Sequence, residues 1–312
     1  MIPIHPPTGP FLINTTLFGI PIIVHWYGVL IVGGAILAGW MSARRARQRG
    51  YDPEHVWNLL MFGMVLGVIG ARAYYVAFEW EQFYNKPLLQ IISPAGGGLA
   101  IHGALIGAVL AALIYTRLNR LSLIEWLDIC VPTILLAQGI GRWGNFFNQE
   151  AYGRPTSLPF GVTIDQDHRL PPFRDMTRYP ANTLFHATFL YESVWDIGGF
   201  GLLLLLERRL RGWLRTGDMA LFYAIWYGIG RFWVEGLRTD SLCVSGIGGS
   251  CDGSLRAAQI ASVLLALGGV VGLIINHRRA LPAAPAEVQD VPPASEEPPA
   301  EDVRVASHGG QA

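Results

Sequence analysis

Seven long apolar stretches constrain the fold of this chain more than any other feature. A helix needs about 20 mostly apolar residues to cross roughly 30 Å of hydrocarbon. Stretches of this kind cover residues 20–42, 55–78, 97–116, 123–141, 184–206, 218–238 and 255–276. With 51% hydrophobic and only 15% charged residues, the chain has more apolar surface than one soluble core would bury. The sequence therefore predicts an all-α polytopic membrane protein with seven transmembrane helices.

The arginines between these stretches predict the orientation. Lys and Arg near the ends of spans tend to stay in the cytoplasm. The segments ARRARQR, TRLNR, ERRLRGWLR and NHRR follow the first, third, fifth and seventh stretches and place twelve arginines on one side. We therefore expect the N-terminus outside and the C-terminus in the cytoplasm. Acidic and basic residues balance at 23 each, so no net charge indicates a nucleic-acid partner.

Two segments differ in composition from the predicted transmembrane domain, residues 1–280. The proline-rich residues 154–182 are long enough to form a small outer cap with short strands. Residues 281–312 are rich in Pro, Ala and Glu and contain no aromatic residue, so they cannot bury enough surface to fold. We expect them to form a disordered, acidic cytoplasmic tail.

The cysteines leave one question open. Cys243 and Cys251 flank a glycine-rich outer segment that can close into a loop, so a disulfide and two free thiols are both compatible with the sequence. Cys130 lies in an apolar span, where a buried structural thiol is the usual role. No paired CxxC motif or His-Cys cluster indicates zinc, and no aspartate cluster indicates another metal.

Ionisable residues inside a predicted span are candidates for function, because they are expensive at membrane depth. Tyr227, Arg231, Glu235 and Arg238 are spaced by four, four and three residues, which places them on one stripe of a helix. In one interpretation, Glu235 bridges the two arginines in a structural ion pair. In the other, two arginines per carboxylate leave a positive charge for an anionic ligand such as a phosphate.

The segment GRWGNFFNQEAYG, residues 141–153, gathers polar groups where the fourth apolar stretch ends. Arg142 begins it, Asn145 and Glu150 add amide and carboxylate groups, and Gly153 permits a turn or a close approach. The segment is suited to holding a polar group at the bilayer surface. An interfacial arginine anchor followed by a capping loop is the alternative.

Two further polar residues lie in other spans. Arg72 lies in the second span, and His102 opens the third at a depth that should resemble that of Arg142 and Arg231. An imidazole titrates near pH 6.5, so His102 could accept a proton at neutral pH. A hydrogen-bonded core histidine is the alternative role, and His25 and His186 are competing bases.

Taken together, these motifs resemble those of bacterial prolipoprotein diacylglyceryl transferases, over roughly residues 15–276. GRWGNFFNQEAYG matches each specified position of that family's signature, and HGALIG is similar to its His-Gly-Gly-Leu-Ile-Gly, with Ala104 in place of the second glycine. HATFLYE keeps His186, Tyr191 and Glu192 of a third motif but lacks its proline and glutamine. By this resemblance, the family's critical positions correspond to Tyr27, His102, Arg142, Asn145, Glu150, Gly153, Tyr227, Arg231, Glu235 and Arg238.

The resemblance implies transfer of a diacylglyceryl group from phosphatidylglycerol to a cysteine thiol in the lipobox of a prolipoprotein signal peptide. It also implies a multi-pass protein of the bacterial inner membrane, with the active site toward the outer face and no cofactor. Arg142 and Arg231 would grip the phosphate, and His102 would take the thiol proton. Tyr27 would join these catalytic residues, and its hydroxyl and that of Tyr227 would form hydrogen bonds at the pocket wall. The substrate-binding set would also include Asn145, Glu150, Gly153 and Arg72, and Glu235 with Arg238 would form a gating or structural pair.

Two other classes of protein share some of these features. A transporter or channel can also have seven spans with buried charges. The polar clusters of the third, fourth and sixth stretches do not recur in the other half of the chain, so the sequence lacks the internal repeat that favours a transporter. A lipid-binding scaffold would bind phosphatidylglycerol without turnover.

Overall fold

The chain is mostly helical. The structure, a computed structural model, describes residues 2–5, 9–93, 97–243 and 255–279. Within these residues the helices are α1 (Trp26–Gln48), α2 (Glu54–Phe78), α3 (Leu88–Ile92), α4 (Ile101–Leu118), α5 (Leu123–Asn148), α6 (Thr188–Arg209), α7 (Asp218–Leu237) and α8 (Ala257–Arg278).

Six of these helices, α1, α2, α4, α5, α6 and α8, are long and apolar enough to cross a membrane. Outward-facing side chains such as Leu105 and Leu264 are about two-thirds exposed, at 66% and 65%, as expected for a surface that contacts lipid. The protein is therefore a polytopic membrane protein. The remaining predicted span coincides with α7, which carries Arg231 and Glu235 within its 20 residues and does not belong to this set of six.

The all-α prediction is wrong at the N-terminus. β2 (Phe11–Leu17) and β3 (Ile20–His25) form an antiparallel hairpin, so the first helix begins at Trp26 rather than at residue 20. β1 (Ile2–Ile4) pairs in parallel with β4 (Phe160–Val162). Hydropathy alone cannot tell whether a short apolar run ahead of a helix is a strand or the first turns of that helix. Here the run ahead of Trp26 is rich in β-branched residues and forms a strand.

The end of α5 also differs from the prediction. The helix continues to Asn148, seven residues past the predicted end at residue 141, and then stops because Gln149 adopts a left-handed conformation with φ 52°. The first eight residues of GRWGNFFNQEAYG are therefore helical. Arg142 consequently lies inside α5, with nearly two helical turns between it and the helix end.

Close packing explains the glycines of α2 and α4. A Cβ atom at Gly103 would overlap the carbonyl of Gly70, and one at Gly107 would overlap the carbonyl of Leu66. These helices can approach backbone to backbone only because the contact positions lack side chains. The other close helix pairs are α1 with α5, α5 with α6, and α7 with α8.

Residues 154–182 form a compact segment of short elements. Arg169 is fully buried in it and donates from Nε to the Ile164 carbonyl at 2.8 Å and from Nη1 to the Tyr179 carbonyl at 2.6 Å. Gln149 ties the segment to the end of α5 by donating to Asp165 Oδ2 at 2.6 Å. This hydrogen bond from Gln149 lowers the pKa of Asp165. The predicted tail, residues 281–312, and Cys251 lie outside the described residues, so the tail and the Cys243–Cys251 pairing stay predictions.

Candidate functional site

Two arginines from different helices meet at one carboxylate. Arg142 Nη1 of α5 lies 3.2 Å from Glu192 Oε2, and Arg231 Nη1 of α7 lies 2.9 Å from Glu192 Oε1. The Glu192 side chain, on α6, is only 6% exposed, and the arginine side chains are about one-fifth exposed. Three helices therefore bring two guanidinium groups together at the edge of the buried interior, as the sequence predicts for Arg142 and Arg231.

A narrow crevice lies beside this cluster. Its walls are formed by Arg142, Glu192, Trp195, Asp196, Tyr227, Gly230, Arg231 and Val234. Glu235 forms an ion pair with Arg231, and Asp196 Oδ2 lies 3.9 Å from Arg142 Nε. Tyr227 is thus placed as the sequence predicts, whereas Glu192 and Asp196 have no predicted role. Both are ionisable residues inside the span predicted at residues 184–206, which is the signal that could have identified them.

The predicted surplus of positive charge is absent from the crevice residues that the structure describes. The crevice walls contain two guanidinium groups and the carboxyl groups of Glu192 and Asp196, and a third carboxyl group, that of Glu235, pairs with Arg231. The prediction assigned one carboxylate to two arginines because it considered only the residues of α7. The contacts from α6 change the charge balance, since a neighbouring helix contributes two acids.

Arg238 does not share the ion pair of Glu235. α7 ends at Leu237, and Arg238 has an extended backbone with ψ 152°. Its side chain donates from Nε to Asp240 Oδ1 at 2.8 Å and from Nη2 to Asp240 Oδ2 at 2.6 Å. The predicted pairing of Glu235 with Arg238 is therefore wrong: Glu235 pairs with Arg231, and Arg238 pairs with Asp240. Arg238 lies beyond the end of α7, so it does not continue the row of residues on one side of the helix.

A tryptophan pair fixes α6 against α7. The Nε1 groups of Trp195 and Trp226 each donate to the other residue's carbonyl, at 3.0 and 3.1 Å, and the rings stack 4.3 Å apart. A Cβ atom at Gly199 would overlap Trp226, and one at Gly230 would overlap Trp195. Trp195 directly precedes Asp196, and Gly230 directly precedes Arg231. The tryptophan pair therefore sets the distance between the charged groups of α6 and those of α7.

The rest of the signature segment organises the end of α5. Asn145 and Asn148 both donate to Glu150 Oε1, at 2.9 and 3.4 Å. The backbone N–H of Gly153 donates to the His186 carbonyl at 3.0 Å, and a Cβ atom at Gly153 would lie 2.6 Å from His186 Cβ. The predicted residues Asn145 and Glu150 are thus joined to each other, and Gly153 is required by a close approach.

Tyr27 reaches this region through a gap left by Gly144. The Tyr27 ring, at the start of α1, packs so closely on Gly144 of α5 that a Cβ atom there would overlap it. Its hydroxyl lies within electrostatic range of Arg142 and Glu150. The predicted wall residue Tyr27 is therefore close to the signature residues.

We expect Gly144→Ala to displace Tyr27, because the added methyl group and the ring cannot occupy the same space. A displacement of about 1 Å near a reacting centre can reduce a rate by about 10²-fold. The initial rate of the diacylglyceryl transfer that the sequence resemblance implies should fall by that order, while Gly141→Ala, whose new Cβ would meet only Ile31 Cγ1 at 3.9 Å, serves as the matched control. Equal rates in the two variants would contradict a functional role for the Tyr27 position.

Arg72 is occupied by backbone groups. Its Nε donates to the Ile91 carbonyl at 2.7 Å, Nη1 to the Gly97 and Gly98 carbonyls at 2.9 and 3.1 Å, and Nη2 to the Gln90 carbonyl at 2.9 Å. It lines a second cavity, apart from the crevice, and links the end of α3 to Gly97 and Gly98 ahead of α4. The structure thus favours a structural role for Arg72 over the predicted substrate-binding role.

We expect Arg72→Ala to lower stability, because four carbonyl groups lose a charged donor. Hydrogen bonds to charged groups contribute about 1.5–3 kcal/mol each, so a loss of at least that order should appear as a lower thermal unfolding midpoint in detergent. Lys86→Gln, an exposed change beside the same cavity, is the control. Weaker binding of phosphatidylglycerol, the substrate that the sequence resemblance implies, with an unchanged unfolding midpoint would instead support the predicted substrate-binding role of Arg72.

His102 is not among the crevice residues. It lies near the start of α4, and its ring stacks on Tyr74 with centroids 5.8 Å apart. The competing base His186 has Nδ1 3.3 Å from the Tyr191 hydroxyl, and burial lowers its pKa, so it is neutral at pH 7. His25 precedes α1 and contacts Phe11. The sequence places His102 near the outer end of its span, but depth does not fix which side of a helix bundle a residue faces.

Fold and site together define a helical polytopic membrane protein with an ion-paired crevice within its helices. The sequence profile of the prolipoprotein diacylglyceryl transferase family matches residues 15–275, and the chain belongs to this family.

Relatives named phosphatidylglycerol–prolipoprotein diacylglyceryl transferase align along most of the chain. The protein from Chloroflexus aggregans is 56% identical over 289 residues, which cover 90% of this chain and 94% of the relative. The protein from Geobacillus kaustophilus is 45% identical over 86% of this chain and 94% of the relative. The protein from Thermosynechococcus vestitus is 46% identical over 79% and 87%.

Proposed function

We propose that this protein transfers the diacylglyceryl group of phosphatidylglycerol to the lipobox cysteine of prolipoproteins, the first step of lipoprotein maturation. Family membership supports the reaction, and the convergence of Arg142 and Arg231 on Glu192 is the observation that carries it to named residues. The protein resides in the bacterial cytoplasmic membrane and crosses it seven times, with α7 as the additional span. The arginine-rich connections lie inside, and the crevice and the cap of residues 154–182 face outward.

The two arginines can hold a phosphate without losing their protein partners. A guanidinium has five N–H donors. The contacts with Glu192, Asp196 and Glu235 engage only part of this capacity, and the remaining donors can bind phosphate oxygens. Glu192 keeps the two groups close to each other before the lipid arrives, so little reorganisation accompanies binding.

The reaction is a displacement at carbon. Loss of the thiol proton produces the thiolate, which is the nucleophile. The sulfur attacks the glyceryl carbon that carries the phosphate, a C–S bond forms, the C–O bond breaks, and the electron pair leaves with glycerol phosphate. Negative charge grows on the phosphate in the transition state, so positive groups there stabilise the transition state more than the bound lipid.

The supporting roles follow from the site. Asn145 and Glu150 orient the headgroup or the signature segment, Gly153 allows the close approach at its end, and Tyr27 and Tyr227 supply hydroxyl groups. His102 remains the candidate proton acceptor for the thiol. A normal rate for His102→Gln at pH 8 would assign that proton to the solvent instead.

The direct experiment incubates detergent-purified protein with labelled phosphatidylglycerol and a lipobox peptide. We expect a thioether-linked product and an equal amount of glycerol phosphate, and no product from the matched peptide with serine in place of the cysteine. Solute flux in vesicles without thioether product would indicate a transporter. Binding of phosphatidylglycerol without peptide-dependent turnover would indicate a scaffold.

A further inference from the structure

Asp196 is a buried carboxyl group that the displacement described above does not use. It lies on α6, one turn after Glu192, and it is 3% exposed. It lines the crevice, and its Oδ2 atom has no hydrogen-bond partner among the described residues. The nearest guanidinium nitrogen in an ion pair with it is Arg142 Nε, at 3.9 Å, which is beyond hydrogen-bond distance.

The charges around Asp196 come from three helices. α5 contributes Arg142, α6 contributes Glu192, and α7 contributes Arg231, Glu235 and the hydroxyl groups of Tyr223 and Tyr227. With every carboxyl group ionised, the charges of the crevice walls cancel, and Glu235, which pairs with Arg231, brings the net charge of the cluster to −1. A bound phosphodiester would make it −2.

Such an excess of negative charge is unfavourable in a buried site, where charges are poorly screened. Protonation of one carboxyl group relieves it. Glu192 and Glu235 are held by direct guanidinium contacts, so their protonation would weaken those ion pairs. Among the three carboxyl groups, Asp196 has the longest distance to a guanidinium group. Its protonation therefore sacrifices the weakest carboxylate–guanidinium attraction.

We propose that Asp196 carries a proton when the lipid phosphate is bound and donates it to the leaving glycerol phosphate. This inference rests on the proposed function. As the C–S bond forms and the C–O bond breaks, the phosphate accepts the proton from Asp196 and leaves as a monoanion. The thiol proton has already passed to its acceptor, and the Asp196 carboxylate regains a proton from water before the next turnover.

Protonation of Asp196 explains how a site without surplus positive charge turns over an anionic lipid. The leaving group would otherwise become a dianion next to the carboxylates of Glu192 and Asp196. A proton donor in contact with the phosphate reduces the charge that develops there, and proton transfer of this kind contributes about 10²–10⁴-fold to rates. Asp196 is in this account a catalytic residue, because it touches the leaving group.

The test compares Asp196→Asn and Asp196→Glu with the unchanged protein between pH 6 and pH 9. Ionisation of the thiol affects all three proteins equally and cancels in the ratio of their kcat values. We expect Asp196→Asn to lose about 10²-fold or more at pH 6. This ratio should shrink by about tenfold or more toward pH 9 as the unchanged protein loses its donor proton. Asp196→Glu should stay within about tenfold of the unchanged protein.

A pH-independent loss in Asp196→Asn would mean a purely structural role and would overturn the proposal, as would full activity.

Infrared difference spectra give a readout that does not need turnover. On addition of glycerol phosphate, the carbonyl stretch of a protonated carboxyl group should be present in the unchanged protein, absent in Asp196→Asn and displaced in Asp196→Glu. A band that is missing, or that persists in Asp196→Asn, contradicts the proposal. Failure of the proposed function is separate, since the unchanged protein would then form no thioether.

Discussion

Arg142→Ala is expected to reduce diacylglyceryl transfer by about 10³-fold, measured per amount of folded protein. Removal of one preorganised donor from a developing oxyanion reduces kcat by about 10²–10³-fold, and in the proposed function Arg142 also binds the ground-state phosphate. Its contact with Glu192 places it opposite Arg231 at the crevice. The measurement is the initial rate of thioether formation in detergent.

Two further variants serve as controls, one for the charge of Arg142 and one for the loss of an arginine elsewhere. Arg142→Lys keeps the charge but loses the planar fork that binds phosphate oxygens in pairs, so we expect it to remain strongly impaired. Arg208→Ala removes an exposed arginine in the last turn of α6 and should transfer at the normal rate. Full activity in Arg142→Ala would remove this residue from the site.

Glu192→Gln is expected to have the largest combined effect on stability and activity. The substitution leaves two guanidinium groups without the carboxylate that joins them, and breaking a buried ion pair from one side destabilises by about 3–5 kcal/mol. We expect a lower thermal unfolding midpoint and loss of transfer. Glycerol phosphate should raise the midpoint of the variant more than that of the unchanged protein, because an anion replaces the missing charge.

The same helix provides a matched control for this variant. Glu207 accepts from Arg45 at 2.6 Å and from Arg49 at 2.5 Å, so it also joins two arginines but lies far along α6 from the crevice. Glu207→Gln should lower the midpoint, keep transfer activity and show no added response to glycerol phosphate. If the two variants respond alike to glycerol phosphate, Glu192 has no special relation to a phosphate site.

Hydropathy predicted most of the helices because lipid imposes one simple requirement, a long apolar segment with satisfied backbone groups. The predicted span at residues 55–78 differs from α2 by one residue at its start. Hydropathy could not separate the strand Ile20–His25 from α1, since both are apolar. It also ended the fourth span too early, because a polar helix end buried among protein groups has the composition of a loop.

The site was predicted where a single helix carried the signal. Arg231 and Glu235 are four residues apart on α7 and do form an ion pair. Contacts between helices were not predictable from spacing: Glu192 joins Arg142 to Arg231, and Arg72 turns to backbone carbonyls. One sequence gives the depth of each charged residue in the membrane but not the direction in which it faces.

The most direct measurement is a structure of the protein with phosphatidylglycerol bound. The account predicts that one phosphate group lies within hydrogen-bond distance, about 3.2 Å or less, of the guanidinium groups of both Arg142 and Arg231. A phosphate held by only one of these arginines, or bound in the cavity beside Arg72, would contradict it.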